Sequence, residues 1–148
     1  MAKPILILRN IPRENPGLIE ILLKEHNLEY HIIDFTNSDL IDTIDNYSAL
    51  IVLGGPDSAN DLTPKMQNEL KLIQKAFQLK IPYLGICLGL QTLVKAMGGT
   101  VEKCLVNETG FRDHENKFFK IKLTSEGRKD TLFKNLSDNL TVFQLHGE

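Results

Sequence analysis

The sequence has little cysteine and no long apolar run, and each shortage excludes a class of protein. Among 148 residues there are two cysteines, Cys87 and Cys104, and four scattered histidines, none of them at the spacing of a zinc site. No apolar stretch approaches the roughly 20 residues needed to span a bilayer. The first residues lack the apolar region and cleavage site of a signal peptide, which predicts a cytoplasmic protein with reduced cysteines.

Charge of one sign is also scarce. The net charge of −2 at pH 7 predicts neither a nucleic-acid partner nor binding to an anionic membrane. The chain has no phosphate loop of the form GxxxxGK followed by Ser or Thr, and we expect no cofactor and no metal. Hydrophobic residues make up 42% of the chain, which is enough for the core of a single domain over 1–148.

Apolar runs alternate with amphipathic stretches over the first 99 residues. The pattern predicts strands at 4–8, 29–35, 48–54 and 81–86, and helices at 16–27, 38–46, 63–80 and 89–99. Pro16 suits the first turn of the first helix, Ser38 is the expected N-cap of the second, and Thr63 that of the third. The third helix is expected to bury a stripe of Met66, Leu70, Ile73 and Phe77.

This alternation predicts an α/β fold. We expect a flavodoxin-like, mostly parallel sheet with helices on both faces. After residue 99 the pattern changes to strand-like runs at 100–106, 117–124 and 140–147, separated by turn-rich segments. These runs predict an antiparallel extension of the sheet. Ligands of such a sheet bind beyond the carboxyl ends of its parallel strands.

The stretch Gly-Ile-Cys-Leu-Gly, at 85–89, stands between a predicted strand and a predicted helix. Gly-x-Cys-x-Gly at that place has the form of a nucleophile elbow, a sharp turn with a strained nucleophile and glycines that allow close packing. The N-terminus of the following helix favours the thiolate form of Cys87. The alternative is that Cys87 is a small buried hydrophobic residue, as many cysteines are.

Several other residues are candidates for a functional site around the elbow. Gly54 and Gly55 end the neighbouring strand, where a backbone amide could meet the same oxyanion, although Gly-Gly-Pro also suits an ordinary turn. Gln91 lies one helical turn after Cys87 and is either a substrate contact or an exposed helix residue. Cys104 has no glycine frame and is interpreted as structural, and His114 as a solvated loop residue.

The segments LGICLGLQTL and VLGGP together resemble the class I (triad-type) glutamine amidotransferases. NETGF and the segment 123–148 are similar to the corresponding parts of the stand-alone, GMP-synthase-like amidotransferases. The resemblance covers the chain from about Ile5 to Glu148. It implies that glutamine is hydrolysed to glutamate and ammonia through a cysteinyl thioester.

The resemblance also implies a role for each matched residue. Cys87 would be the nucleophile, and the amides of Gly55 and Leu88 would hold the oxyanion. The implied substrate-binding residues are Gly54, Gln91, Leu145, His146 and Gly147.

The resemblance implies a histidine base followed two residues later by a glutamate, to accept the thiol proton. His146 and Glu148 have this spacing and are the weaker candidates. In the family a similar segment precedes the catalytic pair, which occurs further along in a segment reading like FHPE. We therefore expect a domain that lacks the C-terminal portion carrying the catalytic His and Glu, with a sheet edge left open to pairing or oligomer formation.

Two functions remain open from the sequence. The first is a glutamine amidotransferase, whose ammonia would pass to a separate synthetase chain and which we expect to be weakly active or inactive as this short chain, because the base is missing. The second is a non-catalytic glutamine-binding or regulatory module that retains the pocket. A third reading, another elbow-cysteine hydrolase, is disfavoured by Gln91 and the segment VFQLHGE.

Overall fold

A computed structural model describes residues 2–35, 41 and 43–148. The chain divides into two compact units, the first over 1–101 and the second over 102–148. The prediction of a single domain over the whole chain stays a prediction. Within the described residues, no helix is both long enough and apolar enough to cross a membrane.

The first unit is built on a parallel sheet. Its strands are β1 (Ile5–Arg9), β2 (Tyr30–Asp34), β3 (Ala49–Val52) and β4 (Tyr83–Gly85), in the order β2-β1-β3-β4. Leu6 pairs with His31 on one side and Leu50 on the other, and Ile51 pairs with Leu84. All four strands lie within the predicted ranges or extend them by one residue, so the predicted parallel α/β sheet is confirmed.

Helices cover both faces of this sheet, as predicted. They are α1 (Leu18–Glu25), α2 (Pro64–Gln78) and α3 (Leu88–Ala96). Because side chains alternate along a strand, Ile7 and Ile51 pack on one face with Leu23 of α1. The opposite face buries residues of β1 and β3 with α2 and α3: Leu6, Leu8, Leu50, Val52, Leu72, Ile73, Ala76 and Ala96.

The N-terminus of α2 matches its sequence signal. The Thr63 hydroxyl accepts a hydrogen bond from the Met66 amide at 3.2 Å, and Pro64 occupies the first helical position. The predicted stripe is partly wrong, because Phe77 is 66% exposed while Glu69 is fully buried. The buried face is centred one residue earlier on the helix than the stripe, so it includes Ala76 instead of Phe77.

The first helix also differs from its prediction. It begins at Leu18, because Gly17 takes a positive φ of 57° and acts as the N-cap. Leu18 and Leu22 are exposed, and Ile19 and Leu23 contact the sheet instead. Apolar residues occur on more than one side of this helix, so the sequence pattern alone does not determine which of them are buried against the sheet.

Four of the nine residues of the predicted helix at 38–46, including its N-cap Ser38, lie outside the described residues. Of the described part, residues 44–46 form a turn closed by a hydrogen bond from the Tyr47 amide to the Ile44 carbonyl, 3.0 Å long. Ile44 is fully buried in the core of the first unit.

The second unit contains two antiparallel pairs. Strand β5 (Glu108–Gly110) pairs with β8 (Gln144–His146), and β6 (Lys120–Lys122) pairs with β7 (Asn139–Thr141). The antiparallel strands predicted after residue 99 are therefore present, but they pair with one another in two small sheets. The predicted strand at 100–106 is wrong: charged residues interrupt the run, and β8 takes as its partner β5, which lies in a segment predicted to be turns.

Candidate functional site

Cys87 occupies a sharp turn between β4 and α3. Its backbone has φ 54° and ψ −113°, and it is the N-cap of α3. The Gly89 amide donates to the Ile86 carbonyl at 3.0 Å, which closes the turn across Cys87. These angles are those of the first central residue of a type II′ turn, about +60° and −120°, where glycine is strongly preferred. The predicted strained elbow is confirmed, and Cys87 is exposed to solvent, which contradicts the alternative of a buried hydrophobic residue.

The two glycines that flank the elbow allow strand and helix to pack closely. A Cβ atom on Gly85 would lie 2.4 Å from the Gly89 carbonyl oxygen. A Cβ atom on Gly89 would lie 2.2 Å from the Val52 carbonyl oxygen on β3. Because both obstacles are backbone atoms, any larger residue would push α3 away from the sheet. This is the close packing that the Gly-x-Cys-x-Gly pattern predicts.

The turn after β3 lies directly beside the elbow. A Cβ atom on Gly54 would lie 3.4 Å from the Cys87 Cβ and 3.7 Å from its Sγ. A Cβ atom on Gly55 would lie 3.0 Å from the Leu88 Cδ2. The structure therefore brings together the nucleophile candidate and three of the residues assigned to the oxyanion and substrate at the carboxyl edge of the sheet.

The amides of Gly55 and Leu88 are suited to a negatively charged oxygen. Leu88 is the first residue of α3, so its N–H has no acceptor inside the helix. Within residues 2–35, 41 and 43–148, neither amide donates to a backbone carbonyl. Their role as an oxyanion hole stays a prediction that this geometry supports.

Gln91 lies on the first turn of the same helix. Its amide donates to the Cys87 carbonyl at 3.2 Å, and its side chain is half-buried. The residue also makes a further interaction within the protein. Its assignment as a substrate contact remains a prediction.

Glu14 is a site residue that the sequence analysis missed. Its Oε2 lies 3.8 Å from the point that a Gly54 Cβ would occupy, the same point that lies 3.7 Å from Cys87 Sγ. The carboxylate and the sulfur therefore border one small space. Glu14 lies in the loop after β1, and its position beyond the carboxyl end of a central strand is the signal that could have identified it.

The residues assigned near the end of the chain belong to the second unit. His146 lies in β8 opposite Glu108, and its Nδ1 is 3.5 Å from the Glu108 Oε2. Its Nε2 is hydrogen-bonded to the Gln144 Oε1 at 2.6 Å. Leu145 is exposed, and the carbonyl of Gly147 accepts a hydrogen bond from the Cys104 amide at 2.8 Å.

The roles of these residues, and of Glu148, stay predictions. His114 is exposed in a turn, which confirms the interpretation of a solvated loop residue. Among the residues that the structure describes, no three His, Cys, Asp or Glu side chains are grouped as ligands for a metal ion.

Most of the chain is similar in sequence to known glutamine amidotransferases. Residues 18–148 match the family described as glutamine amidotransferase class-I. The glutamine-hydrolyzing GMP synthase of Bacillus subtilis (strain 168) is 34% identical over 103 residues, which is 70% of this chain and 17% of that protein. One subunit of the glutamine-hydrolyzing GMP synthase of Saccharolobus solfataricus is 32% identical over 108 residues, which is 73% of this chain and 50% of that protein.

A solved structure agrees with the fold. A glutamine amidotransferase from Methylobacillus flagellatus superposes with a TM-score of 0.82 and 30% sequence identity. The superposition covers 99% of this chain and 56% of that one. The chain thus spans between about a sixth and little more than half of these three proteins.

Proposed function

The chain belongs to the class I glutamine amidotransferase family, and we propose that it carries the glutaminase half-reaction with Cys87 as the nucleophile. The observation that carries this proposal is the elbow itself. An exposed cysteine is held at a φ of 54°, beside a second turn whose Gly54 leaves open the space next to the sulfur. A backbone so strained is retained where surrounding structure enforces it, and such positions cluster at active sites.

The chemistry follows from the groups around the sulfur. The thiolate attacks the side-chain amide carbon of glutamine, and the carbonyl oxygen takes up the negative charge beside the Gly55 and Leu88 amides. When the tetrahedral intermediate collapses, the C–N bond breaks and ammonia leaves with a proton. The thioester on Cys87 is then hydrolysed by water, which gives glutamate and restores the thiol.

The proton taken from the thiol needs an acceptor, which must return it to the leaving nitrogen. Glu14 borders the same space as the sulfur. His146 is engaged by Gln144 and Glu108 in its own unit. Cys87 is the nucleophile and Gly55 and Leu88 are the oxyanion donors, and neither Glu14 nor His146 is assigned as the base.

Ammonia release implies an acceptor. Because a relative of similar sequence is one subunit of a GMP synthase, we propose that a separate synthetase chain receives the ammonia from this protein. The names of the relatives also make a purine nucleotide synthetase the first partner to test.

Glutamate release separates the enzyme from its alternative, a non-catalytic glutamine-binding or regulatory module. We expect the purified chain to bind L-glutamine and to release glutamate slowly, because no base is assigned, and we expect Cys87→Ala to bind glutamine without release. Calorimetry and an assay of glutamate formation measure the two properties separately. Binding without release or thioester formation would favour the binding module, and absence of binding would contradict both functions.

A further inference from the structure

Three polar side chains are buried in the first unit near the elbow. Asn10 is 1% exposed, and Glu69 and Thr92 are fully buried. Asn10 directly follows β1, Glu69 lies in α2, and Thr92 lies in the middle of α3. Burial of a carboxyl group among apolar residues is costly unless it is neutralised or paired, so Glu69 requires an explanation.

Glu69 lies against the other two polar groups. Neither of its carboxyl oxygens makes a well-formed hydrogen bond, and the Asn10 Oδ1 has none either. Asn10 and Thr92 are nevertheless near enough to interact with the Glu69 side chain. A protonated carboxyl group is neutral and offers both a donor and an acceptor to the polar groups around it, whereas a carboxylate is a charged acceptor only.

The electrostatic surroundings agree with a protonated group. Burial raises the pKa of the Glu69 carboxyl group above its ordinary value. Contacts with Thr92 and Asn10 oppose that rise in part. Lys65 and Asp57 form an ion pair nearby; the lysine lowers the Glu69 pKa and the aspartate raises it.

One side of this cluster reaches the turn after β3. The Asn10 Nδ2 donates to the Leu53 carbonyl at 3.3 Å. A Cβ atom on Gly55 would lie 2.6 Å from the Asn10 Cβ, so the glycine backbone rests directly on this side chain. The position of Asn10 therefore sets the position of the Gly55 amide.

The other side reaches the elbow helix. The Thr92 hydroxyl donates to the Gly89 carbonyl at 3.1 Å, and the Tyr83 hydroxyl donates to the same oxygen at 2.6 Å. Burial raises the pKa of Tyr83, so its hydroxyl remains a donor at physiological pH. Gly89 closes the turn that contains Cys87, which places Glu69 between the two segments that carry the proposed oxyanion amides.

We propose that Glu69 is a positioning residue: as a neutral acid buried between Asn10 and Thr92, it fixes the Gly55 turn relative to the Cys87 elbow. The inference rests on the proposed function for its effect on glutamine chemistry. Its structural part, the coupling of two backbone segments through α2, is independent of that function.

The test compares Glu69→Gln, which keeps a neutral donor of the same shape, with Glu69→Leu, which removes the donor. Ile73→Val is the matched control, because it perturbs the buried face of α2 by removing only an apolar methyl group. Each folded variant is labelled at Cys87 with a diazoketone analogue of L-glutamine and, separately, with iodoacetamide. The ratio of the two rates reports the organisation of the pocket, because iodoacetamide needs no oxyanion site.

We expect Glu69→Leu to lower this ratio about tenfold or more, since small displacements of catalytic groups cost that much. Glu69→Gln and Ile73→Val should keep the ratio of the wild type. A folded Glu69→Leu variant with an unchanged ratio would overturn the inference, as would a Glu69→Gln variant that behaves like Glu69→Leu.

A second measurement separates this inference from the proposed function. Amide hydrogen exchange over 53–57 and 87–91 should accelerate in Glu69→Leu and remain unchanged in Ile73→Val, whether or not the protein reacts with the glutamine analogue. Analogue labelling that is absent from the wild type contradicts the proposed function. Unchanged exchange in both segments contradicts the role of Glu69.

Discussion

Replacing Cys87 with glycine is expected to stabilise the protein relative to replacing it with alanine. Alanine keeps the Cβ atom and with it the strain of a φ of 54°, whereas glycine adopts this conformation freely. Such strained residues cost about 1–3 kcal/mol. Glycine also gives the unfolded chain more conformational freedom, which lowers the stability of the glycine variant by about 0.4–1 kcal/mol and offsets part of this difference. Because Cys87 is exposed, both variants lose little buried surface.

We therefore expect Cys87→Gly to have a free energy of unfolding about 0.5–2 kcal/mol above that of Cys87→Ala, from the strain and entropy terms together. Urea denaturation followed by far-ultraviolet circular dichroism measures the difference. Lys71, exposed on α2, provides the control, because at an ordinary helix position glycine is less stable than alanine by about 1 kcal/mol. If alanine is also the more stable residue at position 87, the elbow is not strained.

Three further predictions concern the surroundings of the elbow. Gly89→Ala should lower the free energy of unfolding by about 1–3 kcal/mol, because the alanine Cβ would meet the Val52 carbonyl oxygen. Thermal or urea unfolding measures this loss, which should occur despite the better helix propensity of alanine, and an unchanged stability would contradict the close packing. Glu69→Gln should gain stability over the wild type as pH rises above 4.5, which thermal scans at several pH values measure. The pKa of Glu69 is higher in the folded state than in the unfolded state, so the stability contributed by its proton is full below the ordinary pKa and is lost as pH rises through the folded-state pKa. Lys65, Asp57 and Tyr83, which face Glu69, are the same residues in both proteins, and a stability difference that stays constant with pH would contradict the prediction. Glu14→Gln should raise the ratio of the iodoacetate to the iodoacetamide labelling rates of Cys87 about twofold to threefold, because the Glu14 carboxylate repels the anionic reagent and not the neutral one. An unchanged ratio would place Glu14 away from the sulfur.

The elbow could be predicted from sequence because each of its requirements is local. The glycines at 85 and 89 allow the backbone contacts, and the apolar run before them marks the strand. The turn at Gly54 and Gly55 could be placed beside it because parallel strands end at the same edge of a sheet.

Glu69 and Glu14 depend on contacts between distant segments. A glutamate in an amphipathic helix is expected on the solvent face, whereas Glu69 is buried beside the polar groups of Asn10 and Thr92, which are distant in the sequence. Glu14 lies in a loop, where there is no periodicity in the sequence from which the orientation of a side chain could be predicted. The strands of the second unit were hard to predict for a different reason, since three-residue strands are too short for alternation to identify them.

The most direct test of the central claim is to identify which cysteine reacts with a diazoketone analogue of L-glutamine. Intact mass and peptide mapping should show one adduct, on Cys87, and excess L-glutamine should suppress it. Cys104, half-buried in the second unit, serves as the internal control. Labelling that glutamine does not suppress, or that occurs equally on Cys87 and Cys104, would contradict the assignment of Cys87 as the nucleophile of a glutamine site.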